Sequence, residues 1–295
     1  MIRLAIVFCL CTMTLSAQKK VPGNGRIQRF PHFPSNQVEP RNIDVWVPED
    51  YPQKGPYSVI YMHDGQNLFD STTAYGNIPW KAGEAASALL RDKKIAQCII
   101  VGIHSNDKRF LEYNPQSIFK TLPATLQQKL VAEYQGEPIS DAYLLFIVKE
   151  LKPFIDNTFY TSRVRENTCI AGSSMGGLIS LYAMCEYPKV FGSAACISTH
   201  WPVSLKMNDA RIPKAIKAYL NKKLPPSTEH RVYFDHGTET LDKQYAPYQK
   251  EIDALMKEKG YSKKNWVTKV YSGAAHSELY WQKRFPAVLK FLLPR

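Results

Sequence analysis

The sequence lacks the motifs by which enzymes bind nucleotides, catalytic zinc or redox dithiols. It contains no G-x-x-x-x-G-K-[ST] phosphate loop, no H-E-x-x-H pair, no C-x-x-C pair, and no G-x-G-x-x-G after a predicted strand. These absences exclude the phosphate-loop nucleotide hydrolases, the zinc peptidases with that motif and the thioredoxin-like enzymes. No cofactor and no metal are implied.

Long apolar runs are scarce as well. Near the start, Arg3 precedes a short apolar run that is followed by Leu15, Ser16 and Ala17. This pattern predicts a signal peptide over residues 1–17 and therefore an exported, periplasmic or extracellular protein. The run is shorter than the roughly 18 residues that a membrane-spanning helix needs. Residues 18–295 are then expected to form a single domain.

Cysteine is sparse, with six in the sequence. Two of them, Cys9 and Cys11, lie in the predicted signal peptide. The other four lie in apolar segments, at Cys98, Cys169, Cys185 and Cys196. Free thiols in the core are favoured, since a buried cysteine packs as a small apolar residue. One disulfide stays open, because the spacing identifies no pair.

Acidic residues are fewer than basic ones, 26 against 38. Cleavage after Ala17 removes one arginine and no acid. A nucleic-acid partner is nevertheless not predicted, because the lysines are spread over predicted helix surfaces and turns, for example at Lys250 and Lys263. An exported protein also seldom meets nucleic acid. A solvated basic face is favoured, and a weak preference for acidic polysaccharide is the alternative.

Short apolar runs alternate with segments of helical spacing along the chain. The runs cover residues 58–65, 96–103, 168–174, 192–199, 230–237 and 265–273, and they lack the alternation of a half-buried strand. The helical segments cover residues 81–91, 140–154, 175–187, 245–260 and 278–293. This order predicts an α/β fold with a mostly parallel central sheet and helices on both faces. Two long connections, 104–139 and 200–229, are expected to shape a substrate pocket.

The strongest local motif is Gly172-Ser173-Ser174-Met175-Gly176. It follows a predicted strand and precedes a predicted helix, which is the context of a nucleophile elbow. We expect the flanking glycines to be required because a Cβ at either one would collide with the neighbouring strand or helix. Ser174 is the predicted nucleophile.

A serine needs a base, and His276 is the predicted one. It follows the last predicted strand and precedes the final helix, where the order serine, acid, histidine expects the base. Four other histidines lie at carboxyl ends of predicted strands, where they line the pocket or make ordinary polar contacts: His63, His104, His200 and His236.

The acid should follow the strand that ends at Gly237. Asp235 falls within that strand, which favours a structural role. Asp242 is preferred as the acid, and Glu239 stays an alternative because the local sequence does not separate them.

Acyl transfer also needs two hydrogen-bond donors for the oxyanion. We expect the backbone amide of Met175 to be one and that of Gln66, after the strand ending near His63, to be the other. Gly65 is expected to let this backbone approach the substrate.

Several runs in this order resemble the putative esterase family of α/β hydrolases, which includes carbohydrate esterases of the feruloyl and acetyl type, S-formylglutathione hydrolases and enterochelin esterases. The runs are YMHDGQNLFDSTT, IAGSSMGGLISLY, FGSAACISTHW, YFDHGTETLD and SGAAHSELYWQKRFPAVLKFLL. The resemblance implies Ser174 as nucleophile, His276 as base and an acid within the block GTETLD. Many relatives carry that acid where this chain has Thr240.

Together these features predict an exported serine carboxylic-ester hydrolase that forms an acyl-enzyme on Ser174. The predicted substrate is a small-molecule or oligosaccharide ester, and an acetyl or feruloyl ester of a carbohydrate is favoured. The alternatives are a siderophore esterase or an acyltransferase of the same fold, or a catalytically weak binding module. The sequence does not determine the oligomeric state.

Overall fold

A computed structural model describes residues 19–20 and 25–295 of the chain. The predicted signal peptide, residues 1–17, lies outside the described residues. Within these described residues, nine strands form one sheet. They are β1 (Lys19–Lys20), β2 (Arg26–Phe33), β3 (Arg41–Val47), β4 (Ser58–His63), β5 (Cys98–Ile103), β6 (Thr168–Ser173), β7 (Ser193–Ile197), β8 (Arg231–Gly237) and β9 (Trp266–Tyr271).

The sheet combines an antiparallel edge with a parallel body. The strand order is β1-β2-β3-β5-β4-β6-β7-β8-β9. β1, β2, β3 and β5 pair antiparallel, and every pair from β5 across to β9 is parallel. The carboxyl ends of β4, β6, β8 and β9 therefore meet at the same edge of the sheet, where ligands bind in folds of this kind.

Helices cover both faces of the sheet. They are α1 (Ala82–Arg91), α2 (Arg109–Tyr113), α3 (Gln116–Phe119), α4 (Ala124–Tyr134), α5 (Ser140–Phe146), α6 (Lys152–Thr158), α7 (Met175–Glu186), α8 (Arg211–Lys223), α9 (Ala246–Glu258) and α10 (Glu278–Leu292). On β4, Val59 and Tyr61 pack into the cluster that contains the apolar side chains of α5 to α9. Their neighbours Ile60 and Met62 pack into the cluster of α1 and α10. Burial on both faces explains the unbroken apolar runs and confirms the predicted α/β class.

The structure adds elements that the sequence pattern did not indicate. β2 lies in the proline- and asparagine-containing lead of the chain, where it pairs with β3. The long connection 104–139 contains α2, α3 and α4, and 200–229 contains α8. The predicted helix over 140–154 is α5 and α6 joined by one π-helical turn, Ile147–Leu151.

The four cysteines outside the predicted signal peptide are buried free thiols. Burial raises the pKa of Cys169 to about 12, so this thiol stays protonated. Among the residues that the structure describes, no helix has the length and apolarity needed to cross a membrane.

Candidate active site

Ser174 lies at the sharp turn between β6 and α7. Its backbone has a φ of 59° and a ψ of −122°, a conformation that is strained for a residue with a Cβ. The Ser174 N–H donates to the carbonyl of Ile197 on β7 at 2.9 Å, and the Ser174 carbonyl accepts from the His200 amide at 3.2 Å. These contacts with the neighbouring strand and the loop after it hold the strained turn in place.

The glycines around this turn differ in how tightly they are confined. A Cβ on Gly172 would lie 2.8 Å from the backbone of Gly176, so the expected collision is confirmed there. A Cβ on Gly176 would meet its nearest atoms at 3.5 Å, which is ordinary contact, and the expected collision at this position is wrong. The tight second glycine is Gly177, whose Cβ would lie 3.0 Å from Thr199 Oγ1. Within the first turn of α7, Gly177 and not Gly176 is therefore the glycine that packs closely against β7.

His276 and Asp242 are brought together at the carboxyl ends of β8 and β9. His276 Nδ1 lies 2.6 Å from Asp242 Oδ1. The Asp242 side chain is fully buried, and that of His276 is 10% exposed. Because Nδ1 is engaged by the carboxylate, Nε2 is the ring nitrogen that remains for a substrate or a serine.

The three carboxylates considered for the acid occupy different places. Glu239 is exposed. Asp235 is buried within β8, and its carboxylate bonds the Ser198 amide and the Tyr233 hydroxyl. Asp242, on the 3-10 turn Thr240–Gln244, is the one of the three that contacts His276.

Thr240 has a contact that sequence reasoning missed. Its Oγ1 accepts the backbone N–H of His276 at 2.8 Å. Thr240 itself adopts a left-handed conformation with a φ of 52°. The position where many relatives carry the acid therefore anchors the histidine backbone here, and the carboxylate comes from two residues further along the same turn.

Burial and hydrogen bonding act in opposite directions on Asp242. Burial alone would raise the pKa of this carboxyl group. Hydrogen bonds from His276, Ser198 Oγ and the Gly237 amide more than offset the burial, and the pKa of Asp242 lies below its ordinary value. The group is therefore an anion at neutral pH and stabilises positive charge on His276.

The two predicted oxyanion donors lie on different elements of the fold. Met175 is the first residue of α7, and the first amides of a helix have no acceptor within the helix. Gln66 lies in a single 3-10 turn, Gly65–Asn67, directly after β4. The Gln66 side chain is fixed by two bonds with Ser105, from Nε2 to Oγ at 2.7 Å and from the Ser105 amide to Oε1 at 3.0 Å.

The loop that carries Gln66 is held against β5. A Cβ on Gly65 would lie 2.5 Å from the backbone of Gly102, so glycine is needed here for packing against β5. The expected approach of this backbone to a substrate stays a prediction. Asp64 precedes it in a left-handed conformation with a φ of 57°. Both Asp64 carboxylate oxygens accept from Arg109 of α2 at 2.7 Å. Tyr113 of the same helix accepts the Asp64 amide at 3.3 Å.

A cleft of about 390 Å³ joins these residues. It is lined by Asp64, Gln66, Asn67, Tyr75, Arg109, Ser173, Ser174, His276, Glu278 and Trp281. Arg109 comes from the connection 104–139, as expected. The connection 200–229, also described by the structure, contributes no residue to this lining, so its expected role in the pocket is wrong.

The other histidines at strand ends are engaged elsewhere in the structure. His63 Nδ1 bonds the Tyr143 hydroxyl at 2.8 Å, and His104 bonds Asp44 at 2.8 Å. His200 bonds the Tyr245 hydroxyl at 2.6 Å, and His236 bonds the Gly237 carbonyl at 2.7 Å. Burial lowers the pKa of His63 to about 3 and that of His200 to about 4, so both are neutral.

Arg109 and Glu278 are cleft residues that the sequence analysis missed. Arg109 belongs to no local motif, and the folding of α2 against the loop after β4 brings it into the cleft. Glu278 lies two residues after His276, in a run that the sequence analysis quoted without assigning this residue a role. Burial raises the pKa of the Glu278 carboxyl group. Among the described residues, no group of three or more histidine, cysteine, aspartate or glutamate side chains is arranged to hold a metal ion.

The site thus combines a strained serine at a helix start with a histidine oriented by a buried carboxylate, and the amides of Met175 and Gln66 stay its predicted oxyanion donors. This combination can generate a nucleophile and stabilise an oxyanion, the two requirements of acyl transfer.

Comparison with known proteins adds a family. The family model described as putative esterase matches residues 36–292. Uncharacterized protein YbbA of Bacillus subtilis (strain 168) is 24% identical over 260 residues, which are 85% of this chain and 92% of that protein.

Solved structures share the fold. A feruloyl esterase module from Clostridium thermocellum, complexed with sinapinate, superposes with a TM-score of 0.63 at 16% identity, covering 92% of this chain and 89% of the module. The enterobactin esterase from Shigella flexneri superposes with a TM-score of 0.64 at 16% identity, covering 89% of this chain and 59% of that protein. These likenesses confirm the predicted α/β-hydrolase fold.

Proposed function

The chain belongs to the putative esterase family and is a carboxylic-ester hydrolase, and from this premise we propose that Ser174 is its nucleophile, His276 its base and Asp242 its acid. The observation that carries the proposal is the bond of 2.6 Å between His276 Nδ1 and the buried Asp242, beside a cleft that also contains Ser174. A histidine fixed in this way offers Nε2 to the serine proton.

The reaction follows from these positions. Ser174 Oγ attacks the ester carbonyl while His276 Nε2 takes its proton, and the amides of Met175 and Gln66 donate to the oxyanion. The proton then passes from His276 to the departing alcohol, and an acyl-enzyme remains on Ser174. Water attacks the acyl group while His276 takes its proton. Collapse of the second oxyanion then releases the acid, and His276 returns the proton to Ser174 Oγ.

We propose an acylated carbohydrate as the substrate, with an acetyl or feruloyl group as the acyl part. The feruloyl esterase module that shares the fold was solved with sinapinate, which is a related aromatic acid. The cleft offers carboxylate and amide groups to hydroxyls, and Tyr75, which is 77% exposed, offers an aromatic face at its rim. Aromatic faces and polar side chains together suit sugar rings.

The charge of the cleft argues against the siderophore alternative. Two carboxylates, Asp64 and Glu278, line it together with one arginine, Arg109. Its formal charge is therefore negative when His276 is neutral. Iron-loaded catecholate siderophores are anionic, so the cleft favours a neutral ester over such a ligand, although the enterobactin esterase shares the fold.

We also propose that residues 1–17 direct export and that 18–295 form the hydrolase domain. The short apolar run after Arg3 supports the first part. The continuous sheet from β1 to β9 supports the second.

The test is hydrolysis of 4-nitrophenyl acetate, methyl ferulate and acetylated xylan by the purified protein. We expect turnover that Ser174→Ala reduces by at least about a thousandfold, because the nucleophile is lost while the fold is kept. Ser193→Ala, at a buried serine of β7 that does not line the cleft, is the matched control and should retain turnover. Mass spectrometry after treatment with an activated phosphonate should place the adduct on Ser174.

Full activity in folded Ser174→Ala would contradict the nucleophile. Hydrolysis of an anionic catecholate ester in preference to all three neutral esters would instead favour the siderophore function.

A further inference from the structure

The second oxygen of the Asp242 carboxylate, which faces away from His276, has its own set of partners. Asp242 Oδ2 accepts the Ser198 hydroxyl at 2.6 Å and the backbone N–H of Gly237 at 2.5 Å. The carboxylate is therefore held from both sides, and rotation about its Cβ–Cγ bond would break three hydrogen bonds at once.

The hydroxyl proton of Ser198 has one hydrogen-bond acceptor available to it. Ser198 Oγ accepts Trp281 Nε1–H at 3.1 Å, and it also accepts an N–H of Arg284. Indole and guanidinium groups can only donate, and a hydroxyl has two acceptor sites and one proton. Because both acceptor sites are filled, the hydroxyl proton must point to Asp242 Oδ2.

Arg284 connects Asp242 to a second buried carboxylate. Its Nη2 lies 3.3 Å from Asp235 Oδ1 and 3.7 Å from Asp242 Oδ2. The Arg284 side chain is 2% exposed and both carboxylates are fully buried. We call Asp235, Asp242, Ser198 and Arg284 the buried cluster.

The buried cluster contains two carboxylates and one guanidinium. Its formal charge is −1 when both carboxylates are ionised, and protonation of His276 brings the total to zero. Burial raises the pKa of Asp235 to about 6, although Arg284 opposes this, while the pKa of Asp242 is lowered. Asp235 is therefore the carboxylate of the cluster whose negative charge is not fully compensated.

We propose that Asp235, Ser198 and Arg284 are positioning residues that orient Asp242 towards His276 and leave the cluster one positive charge short, which the imidazolium supplies. This rests on the proposed role of Asp242 as the acid. It gives Asp235 a part in tuning the base, beyond the structural role that its place in β8 suggested.

The titratable groups around Asp235 lie on β7, β8, β9, α10 and the turn after β8. On β7, burial raises the pKa of the Cys196 thiol, which stays neutral. On β8, Tyr233 donates its hydroxyl to Asp235 Oδ2 at 3.0 Å. On β9, the Tyr271 hydroxyl lies 3.3 Å from that of Tyr233. Burial raises the pKa of both phenols, so they stay neutral. The charges that face Asp235 are thus those of Arg284 on α10 and Asp242 on the following turn.

The first test is the near-isosteric variant Asp235→Asn. Loss of the negative charge of Asp235 disfavours the protonated form of His276. Arg284 then has Asp242 as its one remaining carboxylate partner in the cluster. We expect the midpoint of the His276 ring titration, followed by NMR, and the acidic limb of kcat/KM for 4-nitrophenyl acetate both to move down by about half a pH unit or more. Midpoints that stay within error of the wild type, or move up, would overturn the proposal.

The matched control is Asp44→Asn. Asp44 is a buried aspartate on β3 that also pairs with an arginine, Arg29, and a histidine, His104. It lies three strands from β6 in the sheet, so its loss should leave both midpoints unchanged. An equal shift in the control would indicate a general effect of buried charge and would count against the cluster.

A second variant, Ser198→Ala, removes only the hydroxyl that orients Asp242. We expect kcat to fall about tenfold with KM unchanged, because substrate contacts are preserved. A normal kcat in the folded variant would contradict the orienting role. The NMR titration does not require activity, so it tests the buried cluster even if Ser174 proves dispensable for hydrolysis. Hydrolysis that persists in Ser174→Ala would contradict the proposed function without contradicting the role of the cluster.

Discussion

Two buried arginine–aspartate sites lie around the proposed catalytic residues, one in the cleft beside Ser174 and one behind His276. They differ in how many carboxylates each arginine compensates. At the cleft, Arg109 serves one carboxylate, Asp64, with two bonds of 2.7 Å. In the buried cluster, Arg284 is shared between Asp235 and Asp242 at 3.3 and 3.7 Å.

The pKa directions follow from this difference. Burial would raise the pKa of Asp64, but Arg109 more than offsets it, and the value falls below the ordinary one. Arg284 does not offset the burial of Asp235, whose pKa rises to about 6. One guanidinium fully compensates one buried carboxylate, whereas two carboxylates that share one guanidinium leave a demand for further positive charge. In our proposal, the further positive charge at this site is the one that His276 acquires during the reaction.

The largest effect should come from breaking the buried cluster at its acid. Asp242→Asn removes the charge that orients and stabilises His276, and we expect kcat to fall about 10³- to 10⁴-fold. The measurement is hydrolysis of 4-nitrophenyl acetate. Glu239→Gln, an exposed carboxylate on the same connection, is the control and should keep most of the activity. If Glu239→Gln alone lost activity, Asp242 would not be the acid.

Breaking the cleft pair should have the next largest effect. Arg109→Met frees Asp64 and the loop that carries Gln66, and loss of one oxyanion donor typically costs about a hundredfold. We expect kcat to fall by about tenfold to a hundredfold. Lys108→Met is the matched control, because Lys108 pairs at the surface with Glu39. Equal losses in the two variants would show that α2 acts through general packing, not through the pair.

The smallest expected effect concerns folding stability: Asp64 and Asp235 should make it depend on pH in opposite directions. Asp64 has a lowered pKa, so its contribution to folding is present above the unfolded pKa of about 4 and is lost as the pH falls. Asp235 has a pKa raised to about 6, so the folded state resists its ionisation and loses stability as the pH rises from about 4 through 6.

Urea unfolding at several pH values between 4 and 7 measures this contrast. Relative to the wild type, Asp235→Asn should gain about 2 kcal/mol across that range. The relative stability of Asp64→Asn should fall, or stay level, over the same range. Parallel pH dependences for the two variants would show that the two aspartates do not differ in the stated way.

The features that could be predicted are those that depend on neighbouring residues in the sequence. Six strands follow the apolar runs closely. Five of them, β4 to β8, are buried on both faces and must therefore be apolar throughout. The sixth, β9, lies at the edge of the sheet and is half-buried to exposed, so its expected burial on both faces is wrong. Ser174 could be located because its glycines and its strand–helix context are local. β2 was missed since Pro31 interrupts it, and its pairing with β3 is possible because β2 lies near the sheet edge.

The site residues that escaped prediction depend on contacts between distant parts of the chain. Arg109 reaches Asp64 across 45 residues, and Arg284 reaches Ser198 across 86. The turn that presents Asp242 is shaped by the bond between Thr240 and the His276 amide, 36 residues apart. No spacing rule in the sequence encodes such contacts, because each depends on how separate elements dock.

The sequence separations within the buried cluster also set an order of events. Ser174 and its strained turn belong to the middle of the chain, whereas Trp281 and Arg284 belong to α10, the last helix. Contacts of long sequence separation form late in folding, since a large loop must close first. Ser198 and Asp235, which surround the proposed acid Asp242, therefore acquire their contacts with Trp281 and Arg284 only when α10 docks. The rate at which esterase activity returns during refolding should therefore report the rate at which α10 docks.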